Sequence, residues 1–371
     1  MRSERGSKKI IIGILVAALL IGGFGLGLHL IEKRGLNDEQ FGDTGDWGSD
    51  EEDEELLITL DDTEYVTHDD VDTYLVIGTD AGNENQGEAY SGQLADFLTL
   101  LIVDNTTQKY GFVEIDRNSM VDVQVLDDNG EFSAYYNEQI CLSRWYGVDE
   151  EQRNLNTLAA VSALFGYMDV DNYYAINMAD MSAVNDAIGG VTVTIDQDMT
   201  SIDPAFVSGA TVHLTNDQAE KFLRARMDVG EGTNKERMSR QRQYMQNAYN
   251  QVMTQLKENP EYISDMYDSL SGKIEAGEAD SNLSVMTNQL IQYESFGIMS
   301  IDGKTKMGDT QGDGKEHEEF YADNDSIVAI LSSIMDLTSR PIEYDDEDEG
   351  EVEDDLEDVV VEETTEEAEE G

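Results

Sequence analysis

Five arginines, Arg224, Arg226, Arg237, Arg240 and Arg242, fall between positions 224 and 242 of a 371-residue chain that holds only 23 Lys and Arg and carries a net charge of −57. Guanidinium groups are permanently charged and pair bidentately with carboxylates or phosphates. In so acidic a chain they either pair with the protein's own surface acids, which stabilises little, or converge on a phosphate-bearing ligand. Their spacing favours convergence. Arg237 and Arg240 stand three apart on one helical face with Gln241 beside them, Arg224 and Arg226 end the preceding amphipathic run, and a Gly-containing loop at 230–233 joins the two. Asp80, Asp96 and the pair Asp116-Arg117 stand at the ends of apolar runs. Carboxylates beside an arginine cluster predict a magnesium site, because Mg²⁺ is usually held by one or two carboxylates together with substrate phosphate oxygens. The competing reading makes Asp80 and Asp96 turn and cap residues.

The elements that must position these groups alternate between strand and helix patterns. Strands are expected at Thr73 to Thr79, Phe97 to Asp104, Tyr110 to Ile115 and Tyr173 to Ile176, with Val121 to Leu126 continuing the sheet and Val191 to Ile195 a further alternating strand. Helices are expected at Asn154 to Phe165, capped by Asn154 or Asn156, and at Met178 to Ala187, stopped by Gly189-Gly190. Thr215 opens the first arginine-bearing helix and Lys235 to Lys257 forms the second, with later helices at Glu261 to Leu270, Leu283 to Tyr293 and Ser326 to Leu337. The fold class is α/β, an α-β-α sandwich with a central mixed sheet flanked by helices. Ligand groups in such sheets come from the carboxyl ends of strands, where Asp80 and Asp116 stand.

The two ends of the chain differ from this middle. Residues 1–9 carry Arg2, Arg5, Lys8 and Lys9, and residues 10–31 run apolar with His29 as the only ionisable side chain. At about 1.5 Å per residue such a helix spans a ~30 Å hydrocarbon core. The run is long for a signal peptide and ends in Glu32-Lys33-Arg34 without a small-residue cleavage site, so the reading is one uncleaved N-terminal transmembrane helix. The basic side stays in the cytoplasm, which predicts a single-pass cell-membrane protein with its C-terminal domain extracellular. Residues 32–70 are expected to form an acidic disordered linker with a sticky patch at Leu56 to Leu60, residues 71–340 the folded domain, and residues 341–371 an acidic disordered tail. Cys141 is the only cysteine, which excludes a disulfide framework and a thiolate metal site and leaves a buried, inert thiol. The negative charge argues against nucleic acid, which wants a basic face.

Between roughly Asp72 and Leu337 the chain resembles the LytR-CpsA-Psr family of membrane-anchored glycopolymer transferases. YLVIGTDAG is similar to the family's opening strand and Gly-x-Asp, and LADFLTLLIVD to its Arg-x-Asp-Thr strand. VEIDRNSMV is similar to Ser-Ile-Pro-Arg-Asp. NDAIGGVTVTI is similar to Asp-x-x-Gly-Gly-Val through Asp186, Gly189, Gly190 and Val191, and LRARMDVGEGTNKERMSRQRQ to Arg-x-Arg followed by Arg-x-x-Arg-Gln. The resemblance implies transfer of a teichoic acid or capsule-like glycan from an undecaprenyl-pyrophosphate carrier to peptidoglycan, as a phosphodiester and with Mg²⁺. It implies Asp80 and Asp96 as metal ligands, Asp96 and Arg117 as catalytic residues, and Arg117, Arg224, Arg226, Arg237, Arg240 and Gln241 around the pyrophosphate. The prenyl tail then needs an apolar groove between sheet and helices, for which Leu158 to Phe165 and Ile176 to Val184 are the candidate faces. The chain departs from the family pattern at Leu94, Asn118 and Asn234, where Arg, Asp and Asp are usual. These departures keep two alternatives open, a surface protein that binds lipid-linked glycan or peptidoglycan as a scaffold, and a polyprenyl-pyrophosphate hydrolase. The proton-accepting base is left open, with Asp116 available.

Overall fold

A computed structural model describes residues 55–79, 94–127, 129–226, 229–258, 272–277, 292–310 and 314–341, and residues 262, 266, 269 and 270. The strands in chain order are β1 (Glu55–Leu60), β2 (Thr63–His68), β3 (Val71–Thr79), β4 (Ala95–Asp104), β5 (Lys109–Ile115), β6 (Met120–Leu126), β7 (Phe132–Gln139), β8 (Asn172–Asn177), β9 (Thr192–Thr194), β10 (Thr211–His213), β11 (Ile274–Ala276), β12 (Glu294–Ser300), β13 (Gly303–Gly308), β14 (His317–Ala322) and β15 (Thr338–Pro341). The helices are α1 (Glu150–Leu164), α2 (Met181–Ile188), α3 (Asn216–Arg224), α4 (Asn234–Glu258) and α5 (Asn324–Ile334).

Six strands form the central sheet in the order β11-β8-β3-β4-β5-β12. β4 runs antiparallel to β3 and β5, while β8 pairs parallel with β3 and β12 parallel with β5, so the sheet is mixed. Successive strand residues point to opposite faces, and both faces here are apolar. Tyr74, Leu101, Val103, Phe112 and Ile176 join one core with α2, α3 and α4. Leu75, Ile77, Leu100, Ile102 and Val113 join a second with α1 and α5. Helices therefore cover both faces, as the alternating pattern predicts.

Several local expectations are corrected. Residues 55–68, expected as the end of a disordered linker, form the β1–β2 hairpin, and β15 adds to β2 as a third strand. Ile58 and Leu60 are buried in the second core, and Thr59 N–H donates to Gly166 O at 2.7 Å. Alternating apolar residues here outweigh the acidic composition of the stretch. Residues 32–54 and 342–371 lie outside the described residues. β6 does not continue the central sheet but pairs with β7 alone, and β9 pairs only with β10. α1 begins at Glu150, capped by Asp149, whose carboxylate accepts from Gln152 N–H. Asn156, expected as a cap, is buried and donates to Gln124 O at 2.9 Å and Ser143 O at 2.6 Å. Met178–Asp180 is a 3-10 turn leading into α2, and Gly189 stops α2 at φ 85° as its left-handed cap. Most of the helices expected at 283–293 and 261–270, and the anchor at 10–31, lie outside the described residues. Among the described residues no helix is long and apolar enough to cross a membrane.

Candidate active site

The strand directions gather the acids at one edge of the sheet. Thr79, the last residue of β3, pairs with Ala95, the first of β4, and Leu98 of β4 pairs with Ile115, the last of β5. The carboxyl ends of β3 and β5 thus meet the amino end of β4, placing Asp96 beside the turn that carries Asp116 and Arg117. Asp80, one residue past β3, lies outside the described residues.

Two arginines converge on Asp96. Arg117 Nη1 lies 2.9 Å from its Oδ1 and Arg237 Nη1 3.7 Å from the same oxygen. Arg237 also donates to Asp96 O at 3.4 Å and to Asn234 Oδ1 at 2.7 Å. α4 brings Arg237 here because its first turn is set by Thr233, whose hydroxyl accepts from Glu236 N–H at 3.3 Å. Asn234 turns its amide nitrogen to Asp116 Oδ1 at 2.6 Å, so one amide links Arg237 to Asp116. Arg117 Nη2 donates to Cys141 Sγ at 3.0 Å; burial pushes that thiol's pKa up, which keeps it inert as expected. Burial and the like charge of Arg117 push Arg237 down to about 10. Among the described residues Arg117 Nε, Arg237 Nε and Arg240 Nη1 are buried without a hydrogen-bond acceptor. Buried donors are ordinarily satisfied, and an anion would satisfy those of Arg117 and Arg237.

The other arginines divide. Arg226 donates from Nε to Gly232 O at 3.2 Å and forms an ion pair with Glu318 of β14. Arg240 donates to Phe222 O and Ala225 O, and Gln241 to Leu223 O at 3.3 Å. Both thus close the open carbonyls at the end of α3 and lock α3 to α4. Arg224 pairs with Glu220 at 3.1 Å along its own helix and is not among the side chains that meet at Asp96. Arg242 pairs with buried Glu114, whose pKa burial raises even so.

Beside this cluster the first core is incompletely filled. A small apolar cavity of about 30 Å³ lies between the sheet and α2 to α4, walled by Phe97, Ile176, Met178, Met181, Val184 and Tyr244, among others. Phe97 follows Asp96 in the chain, and Gln241, which also borders the cavity, follows Arg240. Gly78 sits in the wall because a Cβ there would come within 2.8 Å of Phe97 Cβ and 2.9 Å of Met178 Sδ. Of the two apolar faces expected to line a groove, Ile176 to Val184 borders this cavity. Leu158 to Phe165 packs instead into the second core.

A family model described as the LytR_cpsA_psr family matches residues 46–329. The chain belongs to this family. Among curated relatives, it is 25% identical over 197 residues to a polyisoprenyl-teichoic acid--peptidoglycan teichoic acid transferase TagU of Bacillus mycoides, covering 50% of this chain and 58% of the relative. A second TagU, of Bacillus cereus, is 40% identical over 89 residues, 24% of this chain and 29% of that protein. The chain thus spans at most 58% of the curated relatives it matches. Among solved structures, protein gbs0355 of Streptococcus agalactiae superposes with a TM-score of 0.54 at 20% identity, over 71% of this chain and 86% of that one. A structure of TagT bound to LIIa-WTA superposes at 0.50 with 14% identity, over 71% and 89%. At these identities the structures show a shared fold.

Two site residues of this LytR_cpsA_psr domain went unselected in the sequence. Glu318 lies in an acid-rich stretch, Glu316-His317-Glu318-Glu319, where nothing local distinguishes it. Asn234 looked like a missing acid, yet its amide, with one donor and one acceptor end, is what joins a cation to a carboxylate.

Proposed function

We propose that this LytR_cpsA_psr domain transfers a glycan polymer from a polyprenyl-pyrophosphate carrier to peptidoglycan as a phosphodiester, at the outer face of the cell membrane behind the anchor at 10–31. One observation carries the reading: two largely buried guanidinium groups, Arg117 and Arg237, share Asp96, whose chain neighbour Phe97 lines an apolar cavity. A prenyl pyrophosphate is a molecule with those two halves, a dianionic head and an aliphatic tail.

In this reading Arg117 and Arg237 hold the pyrophosphate with donors already in place, and their charge counts for more in a water-poor site than at a surface. Arg226 keeps its pair with Glu318 and adds positive charge near Arg237. Arg240 and Gln241 act through position, since their bonds to the end of α3 fix where α4 delivers Arg237. The apolar side chains around the cavity pack against the first prenyl units and exclude water from the phosphorus. The donor set suits a hard cation: Asp96 offers carboxylate oxygen, and its side chain keeps 18% of its surface exposed beside the arginines. Asp80 and Asp96 would hold Mg²⁺, which when bound neutralises charge on the phosphoryl oxygens. The names of the TagU relatives, teichoic acid transferases to peptidoglycan, agree with this substrate class.

The test incubates the full-length chain with a lipid-pyrophosphate-linked oligosaccharide and peptidoglycan fragments, with magnesium or with chelator, beside Arg117→Ala. Magnesium-dependent joining of glycan to peptidoglycan is expected, reduced about 10²–10³-fold in the variant with its melting temperature little changed. Tight lipid binding without product would make the protein a scaffold, and release of prenyl phosphate without joined glycan would make it a hydrolase.

A further inference from the structure

We propose that Asp116 is the catalytic base that takes the proton of the attacking acceptor hydroxyl, an inference that rests on the transferase reading above. Among the described residues, three carboxylates stand near Arg117, Arg226 and Arg237, and their partners differ in kind. Asp96 is engaged by Arg117 and Arg237, and Glu318 by Arg226. A carboxylate held against a guanidinium is a poor proton acceptor, because the transferred proton would leave that cation buried and unpaired.

Asp116 alone of the three makes no ion pair among the described residues. Its Oδ1 accepts instead from two neutral amides, Asn118 N–H at 2.9 Å and Asn234 Nδ2 at 2.6 Å. Those bonds fix the carboxyl plane, and Asn234 is itself fixed from its other end by Arg237 at 2.7 Å. Oδ2 makes no hydrogen bond among the described residues and is not sealed from solvent. One oxygen is therefore tethered and the other is open, the arrangement a base needs. The charged groups facing it are Arg237 and Arg117, which attract a negative carboxylate, and Glu318 and Glu114, which repel one. Burial adds to the repulsion and raises the proton affinity of Asp116 above that of a free aspartate, toward the range in which a general base works well.

The step balances without an oxidant or reductant. The acceptor hydroxyl oxygen forms a bond to the phosphorus that bears the glycan, and the bond from that phosphorus to the bridging oxygen breaks. Prenyl monophosphate leaves with the electron pair, and the hydroxyl proton passes to Asp116 Oδ2. Arg237, linked to the same amide as Asp116, stays on the phosphate side and keeps base and electrophile in register.

The experiment measures transfer by the full-length protein against pH, for wild type, Asp116→Asn and Asn234→Ala, together with binding of the lipid-pyrophosphate substrate. Asp116→Asn is expected to lower kcat about 10²–10⁴-fold, leave lipid binding within twofold and abolish the acid limb of the pH profile. Asn234→Ala removes a bond that favours the charged carboxylate, so its acid limb should move to higher pH. Asp116→Asn within threefold of wild type, or an acid limb unmoved in both variants, would overturn the assignment while leaving the transferase reading intact. Absence of joined product in the wild type would instead overturn both.

Discussion

Leu100 and Leu101 are neighbours on β4, both shut from solvent, and they face cores of different character. Leu100 packs with Leu75, Ile77, Ile102, Val113 and the aliphatic faces of α1 and α5. Leu101 looks into a core with five buried tyrosines from strand or helix, Tyr74, Tyr110, Tyr174, Tyr244 and Tyr249, several methionines, and a small apolar cavity. That core also encloses Asn185, whose side chain accepts from Val191 N–H at 3.2 Å and Tyr244 Oη at 3.1 Å and donates to Leu214 O at 3.1 Å. Aliphatic side chains make up most of one face. Unbranched thioethers, which adapt their shape, border the space on the other. The arginine cluster stands beside the less filled face. The division of labour is physical: one layer holds the sheet, and the other leaves room at the edge where strands deliver charge.

The largest expected effects break the filled face. Leu100→Ala removes a side chain with no exposed surface and should cost about 2–5 kcal/mol in urea unfolding. Binding of a prenyl pyrophosphate to the folded fraction should be unchanged. A loss of affinity there would mean that the two faces are not independent.

A smaller and more selective effect comes from enlarging one residue on each face. Val161 and Val184 are equally buried, at 0% and 1% exposure, but only Val184 borders the cavity. Val161→Phe overpacks a full layer and should cost about 1–3 kcal/mol. Val184→Phe takes up part of the cavity and should cost less than Val161→Phe by the same measure, while weakening prenyl-pyrophosphate affinity about tenfold. Equal destabilisation by the two would show that the cavity collapses around ordinary side chains and is not a preformed site.

The layers were readable in the sequence because their signal is local. β3, β4, β5 and β8 announce themselves as apolar runs, and α3 by the cap at Thr215, whose hydroxyl accepts from Gln218 N–H. Arg117, Arg237 and Asp96, which the structure brings together, are residues that the resemblance to family motifs picks out. What escaped has its cause far away in the chain. β13, Gly303–Gly308, is almost wholly exposed and takes its conformation from β14, which pairs with it throughout. β1 and β2 sit in an acidic stretch and are completed by β15, some 270 residues on. Arg240 and Gln241 were expected at the ligand because their charge and polarity suit it. They face the end of α3 instead, since carbonyls there lack partners within the helix. Asp116 carried no local sign of its role, because the amide that orients it lies 118 positions away.

Asp116 also offers the finest distinction between a residue kept for stability and one kept for chemistry. Its pKa is raised above the ordinary 3.8, first by burial, so the folded protein holds that proton more tightly than the unfolded chain. The contribution to stability is fully present below pH 3.8 and is lost as pH rises through the folded-state value. Near neutral pH an ionised Asp116 is therefore a burden on the fold. Asp116→Asn keeps an oxygen for Asn234 to donate to and removes the charge. It should melt above wild type at pH 7 by roughly a degree or two, with the gap closing as the pH is lowered toward 3.5 and wild-type Asp116 takes up its proton. Calorimetry across that range reads the sign directly. If the variant melts below wild type at pH 7, the two amide bonds stabilise the carboxylate more than burial penalises it, and Asp116 belongs with the residues that hold the fold. If it melts above, the protein retains a charge that weakens it, as expected where a site's chemistry and the fold's stability pull apart.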